Sequence, residues 1–152
     1  MSLSLIRSQI KTLIETVITA EIGTVYDYKR FCNDLATYKD LFIRSRKVNT
    51  WEIERNGFSR EERGGSGGVE MPTHNFIVRG FYGLDDSAGS DKVFQDSYVE
   101  PICEAFMDNP TLNGKAEIIT MPVVGEIKMS KLGDILCHRV EINLSITERR
   151  IF

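Results

Sequence analysis

The feature that most constrains the fold is a long alternation of apolar and polar residues near the C-terminus, from Ile135 to Thr147. One alternate set is almost entirely apolar and consists of Leu136, His138, Val140, Ile142, Leu144 and Ile146. Because successive side chains of a strand point to opposite faces of a sheet, this pattern predicts a strand with one face on a core and the other facing water or a partner. At ~3.4 Å per residue the strand spans about 40 Å, so we expect it to bend or to project beyond its domain.

The first third of the chain is expected to contain two helices and a short strand. Apolar residues recur at helical spacing from Ser4 to Val17, with charged residues on the other side, which predicts an amphipathic helix. The stretch Thr24 to Tyr28 is β-branched and aromatic and predicts a strand. Asn33 or Asp34 can cap a second helix, which we expect to end near Arg44.

The middle of the chain predicts a long hairpin. Val48 to Phe58 and His74 to Tyr82 have the composition of two antiparallel strands, and Trp51 in the first is expected to be a core residue. Between them, residues 59–71 contain four charged residues followed by four glycines within five positions. Glycine disfavours any fixed backbone, so we expect a long, mobile, charged tip.

A third helix and further strands follow. Ser90 can cap a helix with aromatic and apolar residues at spacing four, but Pro101 in its interior predicts a kink or a break. Ala116 to Met121 and Val123 to Met129 are expected to be strands. The order of elements predicts an α+β fold: a single domain over residues 1–152 with one mixed, mostly antiparallel sheet and two to three helices on one face.

Composition excludes several classes of protein. The 152 residues are enough for one ordinary domain, and 19 Lys and Arg against 22 Asp and Glu give a net charge of −3, which argues against a nucleic-acid reader. Three cysteines at irregular spacing are expected to be reduced thiols. No apolar run approaches the ~20 residues of a membrane span, so we expect a soluble protein made in the cytoplasm, with no membrane partner.

Motifs for chemistry are sparse, and we expect neither a metal nor a cofactor. The G-x-S-x-G pattern at Gly64 to Gly68 lacks the strand and helix that a nucleophile turn needs. No pair of histidines or cysteines has metal-ligand spacing, and Cys137 and His138, as neighbours on a strand, point to opposite faces. An enzyme would have to use His138 as a base with Asp85 or Asp86, and nothing in their spacing supports that alternative.

Several motifs along the chain, all of them in turns and strands, together carry a resemblance. They are Gly-x-Val-Tyr-Asp-Tyr at residues 23–28, the strand with Trp51, the glycine-rich charged tip, Arg-Gly-Phe-Tyr-Gly-Leu-Asp-Asp at 79–86 with Gly89-Ser90 before a helix, and Leu-Cys-His at 136–138. With these motifs the chain resembles a family of small tailed-phage and prophage proteins, similar to the tail terminator, or tail completion, proteins of long-tailed phages.

The resemblance implies a non-enzymatic subunit of the virion tail or neck, assembled in the bacterial cytoplasm. Such subunits form a ring, commonly a hexamer, that caps the tail tube, ends its growth and joins it to the head connector, while DNA passes through the lumen without sequence-specific binding. Another head–tail joining or tube-forming protein of the same virion is the main alternative. The candidate contacts with a subunit or the tube are Arg60, Glu61, Glu62, Arg63, Arg149, Arg150 and Phe152, and the candidate lumen residues are Arg44, Arg46 and Lys47.

Overall fold

A computed structural model of the chain describes residues 3–30, 43–44, 47–59, 62–63, 69–112, 114, 118–120, 122–132, 135–148 and 150–151. Within these residues the fold is α+β, with one mostly antiparallel main sheet and helices packed on one of its faces. This confirms the predicted fold class. The predicted second helix after Asn33 or Asp34 lies outside the described residues as far as residue 42, and it does not extend to Arg44, because Ile43–Arg44 is a strand.

The helical elements of the described residues lie near the N-terminus and in the middle of the chain. They are α1 (Leu3–Glu15), a 3-10 turn (Asp86–Ala88), α2 (Ser90–Val93), a π-helical segment (Phe94–Val99) and α3 (Glu100–Met107). The last three are continuous, so the expected break at Pro101 is absent. Instead the helix widens just before the proline, where the Glu100 N–H bonds to the carbonyl of Gln95, five residues back. A π-helical turn is one of the ways in which a helix accommodates an interruption of its i to i−4 ladder.

Eleven strands are assigned among the described residues. They are β1 (Thr24–Tyr26), β2 (Ile43–Arg44), β3 (Lys47–Ser59), β4 (Glu62–Arg63), β5 (Val69–Glu70), β6 (Thr73–Gly83), β7 (Ile118–Ile119), β8 (Val123–Val124), β9 (Lys128–Leu132), β10 (Ile135–Thr147) and β11 (Arg150–Ile151). The bounds of β10 are those that the alternation predicts. The single strand expected over Val123 to Met129 is two strands, because the chain leaves the sheet after Val124 and returns at Lys128.

The centre of the main sheet is the antiparallel trio β3, β6 and β10. On one side, β1 pairs with β3 in parallel and β2 pairs with it antiparallel. On the other side, β7, β8 and β9 pair in turn with successive parts of β10. The register between β3 and β6 shifts between Arg55 and Gly57, and such a bulge bends a strand that would otherwise run straight.

The core lies between the helices and one face of the main sheet. Its inward-facing sheet residues include Trp51, Val78 and Ile142, and α1 contributes Ile6 and Ile10, all fully buried. Trp51 is therefore a core residue, as predicted. A smaller apolar cluster lies on the opposite face of the sheet and contains Val48, Phe81, Leu132 and Cys137.

Candidate functional site

The hairpin tip and the C-terminal segment, which we expect to make subunit contacts, meet in a second sheet of three strands. Strand β5 pairs antiparallel with β4 on one side and with β11 on the other. In one row of paired residues, Glu70 of β5 lies opposite Glu62 of β4 and Arg150 of β11. In the next row, Val69 lies opposite Arg63 and Ile151. The two segments thus form one structural unit through their backbones. The other four residues of that prediction lie outside the described part of the chain: Arg60, Glu61, Arg149 and Phe152.

The predicted basic cluster lies where β2 turns into β3. Arg44 is the last residue of β2, Lys47 is the first of β3, and the two are directly paired. Arg46 lies between them, outside the described residues. The cluster therefore belongs to the edge of the main sheet that also carries β1.

A buried polar cluster lies at the end of the main sheet where β6 begins and β10 ends. His74, near the start of β6, and Glu148, just after β10, are almost fully buried. Nε and Nη2 of Arg55 donate to Nδ1 of His74 over 3.2 and 3.0 Å, and Nε2 of His74 lies 3.6 Å from Oε1 of Glu148. Because arginine can only donate, Nδ1 is an acceptor, and a neutral ring carries its proton on Nε2, facing Glu148.

Sequence reasoning missed this cluster, although the sequence contains a signal for it. The inward-facing set of β10 ends at Ile146, and Glu148 is the next member of the same alternation. An acidic residue at an inward position needs a buried partner, because an isolated charge is costly to bury. The backbone N–H of Glu148 also donates to the carbonyl of Pro72 over 3.0 Å, which fixes the start of β6 against the end of β10.

On the face opposite the helices, Arg79 lies among three carboxylates from the neighbouring strands. Its Nη1 lies 2.5 Å from Oε2 of Glu54 and 3.6 Å from Oε1 of Glu52, and its Nε donates to Oε1 of Glu141 over 3.1 Å. Glu141 also accepts a bond from Arg139. This arrangement follows from the register, which sets Glu52, Arg79 and Glu141 in one cross-strand row.

The pKa values of two of these carboxyl groups move in opposite directions. Burial raises the pKa of Glu52, and the Arg30 N–H and Arg79 offset this only in part. Burial also acts to raise the pKa of Glu141, but the hydrogen bonds from Arg79 and Arg139 outweigh it and lower that pKa. Glu52 is therefore the member of the row that depends most on its positive neighbours to remain ionised.

His138, the base of the alternative enzyme hypothesis, lies against a serine and not against Asp85 or Asp86. Its Nε2 lies 2.7 Å from Oγ of Ser90, and both residues are buried. The Asp85 carboxylate instead accepts bonds from the Ser87 hydroxyl and the Ala88 N–H, as an Asx-type cap of the 3-10 turn, while Asp86 is exposed. Ser90 Oγ also accepts from the Asp85 backbone N–H over 2.9 Å, so the pair ties the turn to the sheet.

Large apolar side chains are exposed at both edges of the main sheet. On the β8–β9 side they are Val123, Val124, Met129 and Leu136, and on the β1 side they are Ile22 and Tyr28. Further exposed apolar side chains among the described residues are Leu5, Phe58, Leu84 and Met107, and single exposed residues of this kind are common on protein surfaces.

The described residues contain no group of three or more His, Cys, Asp or Glu side chains that could hold a metal ion. Within the same part of the chain, no helix is long and apolar enough to cross a membrane. No family model and no curated protein matches this chain.

Proposed function

We propose that this chain is a structural protein of a phage virion that forms a ring on the tail tube, ends tube growth and joins the tail to the head connector. The resemblance of its motifs to tail terminator proteins motivates the proposal. The observation that carries it is the pairing of the hairpin tip with the C-terminal strand. Two segments far apart in sequence, both of which we expect to make subunit contacts, are thereby joined through their backbones.

The backbone register fixes the alignment of the hairpin tip with the C-terminal strand, with Glu70 of β5 opposite both Glu62 of β4 and Arg150 of β11. A net charge of −3 is compatible with a lumen through which DNA slides without being held.

The function is tested by electron microscopy of tube subunits assembled with and without the purified chain. A terminator yields tubes that end in a ring of this chain, and tubes from which the chain is omitted grow to uncontrolled length. Tails of normal length that fail to join heads when the chain is missing would instead indicate a joining protein of the same virion.

The contact surface is tested by two changes at its own strands. Deleting residues 64–68 shortens the tip, and ending the chain after Glu148 removes β11 while keeping the buried contact between His74 and Glu148. Both variants are expected to fold, as judged by circular dichroism, and to lose tube capping. Normal capping by both folded variants would remove the three-stranded sheet from the proposal.

A further inference from the structure

Asn56 and Gly57 form an Asn-Gly pair within β3, at the point where that strand shifts its register with β6. Arg55 pairs with Phe76 and Gly57 pairs with Asn75, so Asn56 is the extra residue of a bulge and no residue of β6 lies opposite it. The extra residue of a bulge is left out of the ladder, which is disrupted there. The ladder therefore holds the backbone less firmly at Asn56 than at its neighbours in the strand.

The surroundings of the pair leave room for a reaction between its two residues. Asn56 is exposed to solvent. Apart from its chain neighbours, the nearest heavy atom to a Cβ built at Gly57 is Nδ2 of Asn75, at 3.8 Å. Pairing of β3 with β1 ends at Glu52, so no described strand pairs with the other side of β3 at this point. Water therefore reaches the side-chain amide of Asn56, and the backbone nitrogen that follows it is not crowded by other side chains.

An asparagine that precedes glycine readily loses its side-chain amide, because glycine has no side chain to hinder its own backbone nitrogen. In this reaction the Gly57 nitrogen attacks Cγ of Asn56 and gives up its proton, the bond from Cγ to Nδ2 breaks, and ammonia leaves. The product is a five-membered succinimide ring. Water then opens the ring, at Cγ to give aspartate or at the main-chain carbonyl to give isoaspartate. One water is consumed and one ammonia is released, with no oxidation or reduction.

Three other asparagines of the chain lack this combination of features. Asn49 is buried. Asn109 precedes Pro110, whose nitrogen carries no proton to give up. A second Asn-Gly pair, at residues 113–114, has its asparagine outside the described residues, and the N–H of its glycine donates to Oγ1 of Thr111 over 3.3 Å. The attacking nitrogen of that pair is therefore engaged in a hydrogen bond.

Two exposed asparagines lie in regular strands and serve as comparisons for Asn56. Asn75 and Asn143 belong to the unbroken register of β6 with β10. The residues that follow them, Phe76 and Leu144, have large side chains that are buried. Oδ1 of Asn75 also accepts a bond from the Ser145 hydroxyl over 3.0 Å. Exposure alone therefore does not distinguish Asn56, whereas the bulge and the following glycine do.

We propose that Asn56 is a site of spontaneous deamidation, at which the folded chain slowly loses one side-chain amide and becomes a mixture of aspartate and isoaspartate forms. The site goes beyond the proposed function and does not depend on it. Each form has one more negative charge than the original chain. That charge lies in β3 between Arg55, which donates to His74, and the hairpin tip.

The two products affect β3 in different ways. Aspartate keeps the length of the backbone, whereas isoaspartate adds one carbon atom to it, because the chain then runs through Cγ. The added atom lies between Arg55 and the last three paired residues of the strand, which are Gly57, Phe58 and Ser59. Isoaspartate is therefore expected to weaken the pairing of these three residues with β6 and to leave the earlier part of β3 in register.

Timed incubation of the folded chain at mildly alkaline pH tests the site. An endoprotease that cleaves after glutamate releases Asn56 in residues 55–61 and Asn143 in residues 142–148, and mass spectrometry measures how much amide each peptide has lost. Asn56 is expected to lose its amide many-fold faster than Asn143. Its rate should rise with pH, because the attacking nitrogen has to give up a proton. Equal rates at the two asparagines would overturn the proposal.

Two variants test the ring closure itself. Gly57→Ala adds a methyl group beside the attacking nitrogen, at a position with room for it, and is expected to slow the loss of amide several-fold. Asn56→Gln lengthens the side chain, so that a larger ring would have to close, and is expected to stay intact in the same incubation. Thermal unfolding checks that both variants are folded. A folded G57A that loses its amide as fast as the wild-type chain would rule out attack by the Gly57 nitrogen.

Amide hydrogen exchange of aged and fresh chain tests the effect on the strand. A protein isoaspartate methyltransferase with labelled S-adenosylmethionine first confirms that the aged chain contains isoaspartate. Residues 57–59 are expected to exchange several-fold faster in the aged chain, while residues 51–55 are unchanged. Asn56→Asp mimics the aspartate product and is expected to exchange as the fresh chain does. Unchanged exchange in the aged chain, or equally fast exchange in N56D, would overturn the effect assigned to isoaspartate.

Discussion

The indole of Trp51 fills the space that a side chain at Gly80 would occupy. The two residues are direct cross-strand partners on β3 and β6. A Cβ atom at Gly80 would lie 2.4 Å from two carbons of the indole ring, a distance that no real contact sustains. Trp51 is fully buried, and its Nε1 donates to Oδ1 of Asn49 over 2.9 Å, so the ring is fixed both by packing and by a hydrogen bond.

Gly80→Ala is therefore expected to be strongly destabilising. The added methyl group displaces a large, well-packed ring, and overpacking of this kind costs about 1–3 kcal/mol of unfolding free energy. Urea unfolding followed by tryptophan fluorescence measures the loss. Gly57→Ala is the matched control on β3, because the nearest atom to its added Cβ is 3.8 Å away. Equal stabilities of the two variants would contradict this account.

A second prediction concerns Ser90 and His138. Ser90→Ala removes the partner of Nε2 of His138, which is buried, and the acceptor of the Asp85 N–H, which is partly buried. We expect a loss of about 1–3 kcal/mol, the usual cost of leaving buried polar groups without a partner. Ser87→Ala in the same turn changes an exposed hydroxyl and should cost less than about 0.5 kcal/mol. Faster amide exchange of Asp85 in S90A alone would support the same role.

A third prediction concerns the ionisation of Glu52 beside Arg79. Arg79→Met leaves a buried carboxylate without its arginine, and we expect a loss of about 3 kcal/mol at pH 7. Burial raises the pKa of Glu52 in the folded state, so the protonated form of this carboxyl group favours folding. The difference in unfolding free energy between the wild-type chain and R79M is therefore expected to shrink as the pH falls from 7 toward 5.

The control for Arg79 is Arg139→Met. Arg139 contacts Glu141, which is only partly buried, so we expect a loss below about 1 kcal/mol at pH 7. Unfolding curves at several pH values measure both variants. If the loss of unfolding free energy in R79M stays constant or grows on acidification, Glu52 is not the carboxyl group whose ionisation depends on Arg79.

The sequence predicts a strand well where every second side chain is buried in the same core, because the alternation of apolar and polar residues then follows the strand. The bounds of β10 follow from its alternation, because its inward-facing side chains from Val140 to Ile146 are buried. The short strands β7, β8 and β9 have no such pattern. The sequence predicts strands over Ala116 to Met121 and Val123 to Met129 but not their bounds, because pairing with β10 decides where β7, β8 and β9 begin and end. Local sequence therefore predicts the bounds of β10 better than the bounds of the short strands that pair with it.

Long-range contacts account for what the sequence does not predict. The pairing of Val69–Glu70 with Arg150–Ile151 joins residues some eighty positions apart, and neither segment has a local signal for the other. The contact of Glu148 with His74 is of the same kind. At Pro101 the sequence predicts strain in the helix, but it does not predict the π-helical segment that precedes the proline, in which Phe94 and Val99 are both buried.

The last prediction concerns the thiols. Burial raises the pKa of Cys137 from 9.0 to about 11, and that of Cys103 likewise to about 11. A raised pKa in the folded state means that the neutral thiol favours folding, so this stabilisation is complete below pH 9 and is lost as the pH rises through about 11. The difference in unfolding free energy between the wild-type chain and C137A should shrink by about 1–2 kcal/mol over that range.

Alkylation provides an independent measurement of the same burial. At about pH 8, iodoacetamide is expected to leave Cys103 and Cys137 unmodified in the folded chain and to modify both in urea, as read by mass spectrometry of their peptides. Cys137 is the more informative site, because it lies in the apolar cluster with Val48, Phe81 and Leu132, on the face opposite the helices. Rapid modification of folded Cys137 would mean that this cluster opens readily, and the predicted loss of stability at alkaline pH would then be absent.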